Sequence, residues 1–444
     1  MSTLSKFSLV EFLQINLRDI FPLFCLILLG VFPSFPPAIQ SISIIAFVVS
    51  ALIVYINNIR DHFNEKLRTY FILTGFYFFS LITYFWTSDI VQFRSEIQSN
   101  VSLVLIPFVA VFLLPKLSEN YVKIFLLSLV CGFLVYLIFW YSYIVQGIIL
   151  FEKLNYGITD FSDKSAFERF IFLIVEFFGK CKSYSQLGMD GYHYFAPQLN
   201  KDFFVHHSYT SAIALICILV CSYYMKSVNH YLKFTFLLFI LIFSIYIFYV
   251  DSQVNKFLYL LFMIVSILLH SNKKWKYYLI IMSGLFTCIV FAKKDEIILK
   301  LNGLVVTTEN SKDHNQGIDF VRYTLYKEAY ALFKKNKFFG LGLGDYRAEL
   351  NKNIHISNTQ FNSHSQYIYY LLVGGVFNLL LFIMSQFFCL YALIRSRDVF
   401  LLSFCLICIA NCLFENFLNR QWGVWTYSVF IILFANRYLY IENE

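Results

Sequence analysis

The chain has 444 residues, of which 59% are hydrophobic, 20% aromatic and only 14% charged, with a formal net charge of +8. Soluble domains carry about 25% charged residues, so there is too little polar surface here to cover a water-soluble globule. The positive balance suggests a polyanion partner, but its distribution along the chain argues against nucleic acid.

Apolar runs long enough to cross a hydrocarbon core of about 30 Å recur along the whole length. In lipid the backbone must satisfy its own hydrogen bonds, which leaves helices or a closed barrel. The runs are continuous rather than alternating, and so read as helices. The spans fall at 20–34, 38–57, 69–86, 100–115, 121–149, 207–225, 232–250, 254–270, 276–292, 365–394, 399–418 and 421–440. The fold class is therefore all-α: one integral membrane domain, a polytopic bundle of about 12 spans. No cleavable signal peptide is evident, because the first apolar run ends at Pro33, Pro36 and Pro37 rather than at a small-residue cleavage site. Cys217, Cys221, Cys405, Cys408 and Cys412 lie inside spans and Cys181 in a long loop, a distribution that makes neither a disulfide framework nor a zinc site.

The connections alternate sides. One set carries fifteen basic residues, from Lys6 to Arg437; the short connections of the other carry three, Arg94, Lys256 and Arg420. The positive-inside rule makes the first set cytoplasmic, with both termini. Two long loops, 150–206 and 293–364, fall on the opposite face. Residues 166–179 form an apolar segment too short to span comfortably. Asp319–Asn336 reads as a mixed helix that puts Arg322, Tyr326, Ala329 and Phe333 on one face.

Ionisable groups at membrane depth are expensive and are functional candidates by default. Here polar residues gather at the non-cytoplasmic ends of spans, in four clusters: 204–209 with His206 and His207, 251–256 with Lys256, 362–366 with His364, and 415–421 with Glu415 and Arg420. The second long loop adds Arg322 and Gly340-Leu341-Gly342-Leu343-Gly344-Asp345. Glycines at alternate positions let a backbone approach a phosphate or another helix closely. Without a following Lys-Ser/Thr this is no nucleotide loop. Each cluster also has a plainer reading: His364 as a helix cap, Arg322 as a snorkelling arginine, His207 as a boundary residue, Asp251 and Lys256 as a surface pair. Nothing in the sequence offers a metal site or a cofactor motif.

These clusters resemble the O-antigen ligase and polymerase superfamily of bacterial envelope polysaccharide assembly. The likeness rests on Arg322 with the glycine turn to Asp345, Asn362–Tyr367 with Gly374-Gly375-Val376-Phe377, Glu415-Asn416 with Arg420–Val424, and His207-Ser208-Tyr209. Ser365 stands where the family usually has Asn, and Ser252-Gln253 where it often has Ser-Arg, with Lys256 one turn later. The resemblance implies a C-type glycosyltransferase in the bacterial inner membrane, with both long loops periplasmic. It implies a glycan donor on undecaprenyl pyrophosphate and a sugar hydroxyl acceptor, on lipid A-core for a ligase or on another lipid-linked glycan for a polymerase. It further implies metal-independent, inverting transfer. His364 and Arg322 become the expected catalytic residues. Lys256, Arg420, His207, Gly342, Gly344 and Asp345 become the expected substrate contacts. Ligase is preferred; protein O-oligosaccharyltransferase is a third reading and a lipid or polysaccharide transporter a rival from another class.

Overall fold

A computed structural model describes residues 17–31, 37–60, 63–155, 207–225, 227–249, 252–269, 318–352 and 361–441. The described residues contain no strand. In chain order their helices are α1 (Leu17–Val31), α2 (Pro37–Tyr55), α3 (Phe63–Ile82), α4 (Ile90–Asn100), α5 (Ser102–Phe108), α6 (Glu119–Asn155), α7 (His207–Tyr224), α8 (His230–Tyr249), α9 (Gln253–Leu269), α10 (Ile318–Lys335), α11 (Tyr346–Asn351), α12 (Gln366–Ser396), α13 (Val399–Phe414) and α14 (Gln421–Ile441). Each expected span overlaps one of them except 276–292, which lies outside the described residues. So do residues 156–206, including the segment 166–179, and residues 293–317 of the second long loop.

Among the described residues five stretches are long and apolar enough to cross a membrane: Ile39–Ile59, Ile90–Leu113, Glu119–Ile138, His230–Phe248 and Gln366–Ser396. The second begins ten residues before the expected span at 100–115, so Arg94, expected in a connection, lies inside a helix. Asp89 explains the early start, because its carboxylate accepts from the Gln92 N–H at 2.9 Å and caps α4. Further on, Pro107 lacks a backbone donor, and α5 passes into a π-helical turn at Val109–Leu113 that absorbs the interruption.

The chain forms two compact units, Met1–Val54 with Leu117–His206 and Tyr55–Lys116 with His207–Glu444. In the first, α1 packs on α6 through glycines. A Cβ on Gly30 would fall 2.0 Å from Ser128 Oγ, and one on Gly132 would fall 2.3 Å from the Val31 carbonyl. Small residues of this kind let membrane helices approach backbone to backbone.

In the second unit α12 lies along α3, with Asn378 donating to Ser80 Oγ at 2.9 Å and Phe76 packed on Tyr370 and Phe382. Midway, α12 breaks. Gly374 and Gly375 leave helical geometry, Gly375 with φ +65°. A break inside a span strands backbone polar groups, and each must find a partner. The glycine turn supplies them: Leu341 N–H donates to Leu372 O at 2.7 Å, Gly342 N–H to Val373 O at 2.9 Å, and Val376 N–H to Lys337 O at 2.9 Å. The second long loop is thereby fastened to the middle of α12, just above which His364 enters the helix.

Candidate functional site

The site is assembled in the second unit where α10, the entry of α12 and the end of α13 meet. On α10, Arg322 and Tyr326 stand one turn apart on one face, as the spacing predicts. Leu325 and Ala329 are buried beside them and hold the helix down. Arg322 Nη2 donates to Glu415 Oε1 at 3.1 Å, while the Tyr326 hydroxyl donates to the His364 carbonyl at 3.3 Å. Burial pushes the Tyr326 phenol above its ordinary range, opposed by the nearby Arg322 charge, so the hydroxyl stays a donor.

Glu415 follows α13 in extended conformation, which turns its carboxylate away from the helix and toward α10 and α12. Its second oxygen lies 3.5 Å from His364 Nδ1. One carboxylate thus faces a guanidinium and an imidazole. The Arg322 Nε–H is buried and has no hydrogen-bond acceptor among the described residues.

His364 sits at φ +48°, in the left-handed region. Among non-glycine residues this is uncommon and costs of order 1 kcal/mol or more, so it persists only where the surroundings enforce it. Here both neighbours are clamped. Ser363 Oγ and the Ser365 N–H both donate to Asn416 Oδ1, at 2.8 and 2.9 Å. Gln366 completes the splice: its N–H donates to Glu415 O at 3.1 Å, its Oε1 accepts from Leu418 N–H at 2.8 Å, and its Nε2 donates to Asn419 Oδ1 at 2.8 Å.

Beneath this layer lies a buried amide pair. Asn255 and Asn411 exchange hydrogen bonds at 3.1 and 3.0 Å, and Asn255 also reaches Ser208 O, Ser211 Oγ and Ser252 Oγ. The Tyr209 hydroxyl donates to Asn416 O at 3.3 Å. All four polar clusters picked out in the sequence are therefore joined in one network. Lys256 follows Asn255 on α9 and is half-buried at its edge. His207 begins α7, and its side chain lies outside what is described.

The glycine turn behaves differently from expectation. Gly342 (φ +95°) would place a Cβ 2.3 Å from Thr87 Oγ1, and Gly344 would place one 2.1 Å from Asp89 O. Both oxygens of Asp345 accept backbone N–H groups, from Ser88 at 2.7 Å and Asp89 at 2.8 Å. The Gly342 N–H and the Asp345 carboxylate dock this turn onto the break in α12 and onto residues 88–89, and Gly344 packs closely against residues 87–89.

Arg420 also lies elsewhere than beside Arg322. It lines a cleft of about 300 Å³ with Arg347, Glu96, Gln92, Asn362 and Asn419, and neither Arg322 nor His364 is part of that lining. Arg347 Nη2 pairs with Glu96 Oε1 at 3.1 Å. Burial alone would lower the Arg347 guanidinium, but Tyr346 and Glu96 outweigh that and hold it above its ordinary range. Among the described residues no group of three or more His, Cys, Asp or Glu side chains is placed to hold a metal ion.

Residues 236–383 match the family model described as O-Antigen ligase. This segment, about a third of the chain, is similar to the O-antigen ligase family. It contains Lys256, Arg322, the glycine turn and His364, and stops short of Glu415 and Arg420. No curated protein matches the chain. With its several apolar helices, the O-antigen ligase domain marks a multi-pass membrane protein. It supports a glycan transferase of the ligase and polymerase family acting on glycan and lipid-linked substrates. Sequence reasoning passed over Glu96 and Arg347, and named Glu415 within a cluster without giving it a role. Glu415 carried a signal, a carboxylate at the end of an apolar span, but only the fold shows what it pairs with.

Proposed function

We propose that this protein moves a glycan from undecaprenyl pyrophosphate to a sugar hydroxyl on lipid A-core, at the periplasmic face of a bacterial inner membrane, in a bundle of about 12 spans. The observation that carries the reading is the single Glu415 carboxylate set between Arg322 and His364. Arg322 is the pyrophosphate contact. Its buried Nε–H has no acceptor among the described residues, and a planar guanidinium suits a phosphate oxygen. Lys256, at the edge of the same network, adds a point charge. Positive groups here stabilise the charge that develops on the departing pyrophosphate, with no metal required.

His364 is the base. With Nδ1 turned to Glu415, Nε2 is left to accept the proton of the acceptor hydroxyl as that oxygen attacks the anomeric carbon. Attack from the face opposite the leaving pyrophosphate inverts the anomeric centre. Glu415 stabilises the imidazolium that forms. His207 lies at the start of α7, next to the buried Ser208 of this network, and is the reserve candidate for the base.

A deletion strain tests the reading. Lipid-linked long chains accumulating beside bare lipid A-core are expected. Single repeat units on the core would instead assign a polymerase. Loss of glycan from a protein acceptor would assign a protein O-oligosaccharyltransferase. A lipid or polysaccharide stranded on the cytoplasmic side would replace the transferase by a transporter.

A further inference from the structure

The cleft that holds Arg420 has no role in the chemistry above, and its composition is unusual. Small-molecule clefts are mostly apolar; every residue lining this one is polar or charged. A polyprenyl chain or an acyl chain finds no surface there. The lining is also rich in donors that lack acceptors. Glu96 brings the one carboxylate, and it is already engaged by Arg347 at 3.1 Å and by Gln92 Nε2 at 3.0 Å. That leaves the exposed Arg420 guanidinium without an ion pair among the described residues, and the cleft one positive charge in excess. Arg347 Nε and Asn419 Nδ2 are buried and make no close hydrogen bond among the described residues, although Asn419 lies near the Tyr346 and Tyr369 hydroxyls. Orphan buried donors call for an explanation, and an anion seated between the two arginines supplies the acceptors. The amides of Gln92, Asn362 and Asn419 both donate and accept, which matches the alternating hydroxyls of a sugar ring.

We infer that this cleft binds an acidic sugar residue, one carrying a carboxylate or a phosphate, with Arg420 and Arg347 on the anion and the amides on the ring hydroxyls. Its place in the fold ties it to the reaction. Asn362 stands two residues before His364, and Asn419 is bonded to Gln366, two residues after it. The segments that hold His364 and Glu415 are therefore also the wall of the cleft. The transferase reading enters only in saying that the sugar belongs to a reacting substrate.

Full-length protein in lipid nanodiscs is titrated with glucuronate, glucose 6-phosphate, glucose and inorganic phosphate. Either acidic sugar should bind at least about tenfold more tightly than glucose and than inorganic phosphate, the scale of one charge-assisted contact. Arg420→Gln should remove that preference, and Lys334→Gln, an exposed cation on α10, should keep it. Equal binding of glucose, or a preference that survives Arg420→Gln, overturns the inference. Inorganic phosphate binding as tightly as the sugars overturns the saccharide assignment. None of these readouts needs transfer to occur, so failure of the transferase reading leaves them intact. In a transfer assay, Arg420→Gln should raise KM for one substrate by about tenfold. A rise for the acceptor places the acidic sugar on the acceptor, a rise for the donor places it on the transferred glycan, and no rise for either removes the cleft from the reaction.

Discussion

Arg322 reaches Glu415 across 93 residues of sequence, with Nη2 3.1 Å from Oε1, and on the other side of the same carboxylate stands His364 Nδ1. The carboxylate is nearly buried, so its charge is weakly screened and both cations, fixed or transient, depend on it.

Glu415→Gln keeps the shape of the side chain and removes the charge. The variant should insert and accumulate, since an amide still fits between the two partners. Turnover should fall by about 10²–10⁴, because nothing then stabilises an imidazolium or fixes the Nδ1–H tautomer. Donor KM should change by less than kcat. Single-turnover transfer in membranes, normalised to folded protein, makes the measurement; wild-type turnover would show that the carboxylate serves stability alone.

Arg322 separates in the same assay. Arg322→Ala should be nearly inactive while the protein accumulates, and Arg322→Lys clearly impaired, because a planar fork is replaced by a point charge. Arg322→Ala also leaves Glu415 facing only His364, so its folded amount has to be measured alongside. Full activity of Arg322→Ala would take this residue out of the mechanism.

The glycine turn predicts a pattern of stability rather than of activity. Gly342→Ala and Gly375→Ala each force a Cβ into occupied space, 2.3 Å from Thr87 Oγ1 and 2.2 Å from Phe338 O, at positive φ. Each should cost about 1–3 kcal/mol. Gly75→Ala is the control: it lies within α3, its added Cβ would meet Leu381 Cδ2 at an ordinary 3.6 Å, and alanine favours the helix by up to about 1 kcal/mol. Thermal unfolding in detergent should show the first two variants lowered and the third level or raised.

Much of this site was legible before the fold. Polar and charged residues at the ends of apolar runs are costly, so 204–209, 251–256, 362–366 and 415–421 stood out as clusters, and hydrogen bonds among Ser208, Tyr209, Asn255, Ser365, Asn411 and Asn416 join them. Helical spacing likewise put Arg322 and Tyr326 on one face. Pairing was not legible. Glu415 stood out in its cluster and Glu96 did not, yet nothing in the sequence told that one faces Arg322 and His364 and the other Arg347. Nor was the break in α12, because Gly374-Gly375 lies in a run as apolar as its neighbours and its partner, the turn at Gly340, is distant in sequence. A glycine pattern tells that backbones approach closely, not whether the second backbone is a phosphate ester or a helix.

Topology makes the fourth prediction. Single cysteines at Lys334 on α10 and at Arg420 should react with a membrane-impermeant thiol reagent from the periplasm, and cysteines at Lys123 and Arg395 only after permeabilisation. The basis is the excess of basic residues in the second pair's connections. Lys334 and Arg395 reporting the same side would sink both the orientation and a periplasmic site.

His364 decides between base and helix entry. As a base, it contributes about 10²–10⁴ in rate, and its loss leaves donor binding intact because the pyrophosphate contacts lie on Arg322. As a structural entry to α12, it contributes through its backbone: φ +48°, a carbonyl held by Tyr326, and neighbours clamped by Asn416. Asparagine tolerates the left-handed region almost as readily as glycine, so His364→Asn spares the backbone while removing the imidazole. The base reading predicts a His364→Asn variant with near-normal folded amount and thermal stability, normal donor binding and turnover lowered by two orders of magnitude or more. The structural reading predicts the reverse contrast, in which His364→Asn is close to wild type by every measure and His364→Val, a β-branched residue unsuited to positive φ, loses stability. Donor binding, folded amount and single-turnover rate on both variants separate the two. If His364→Asn turns over at the wild-type rate, the imidazole is not the base, and His207 at the start of α7 is the next residue to test.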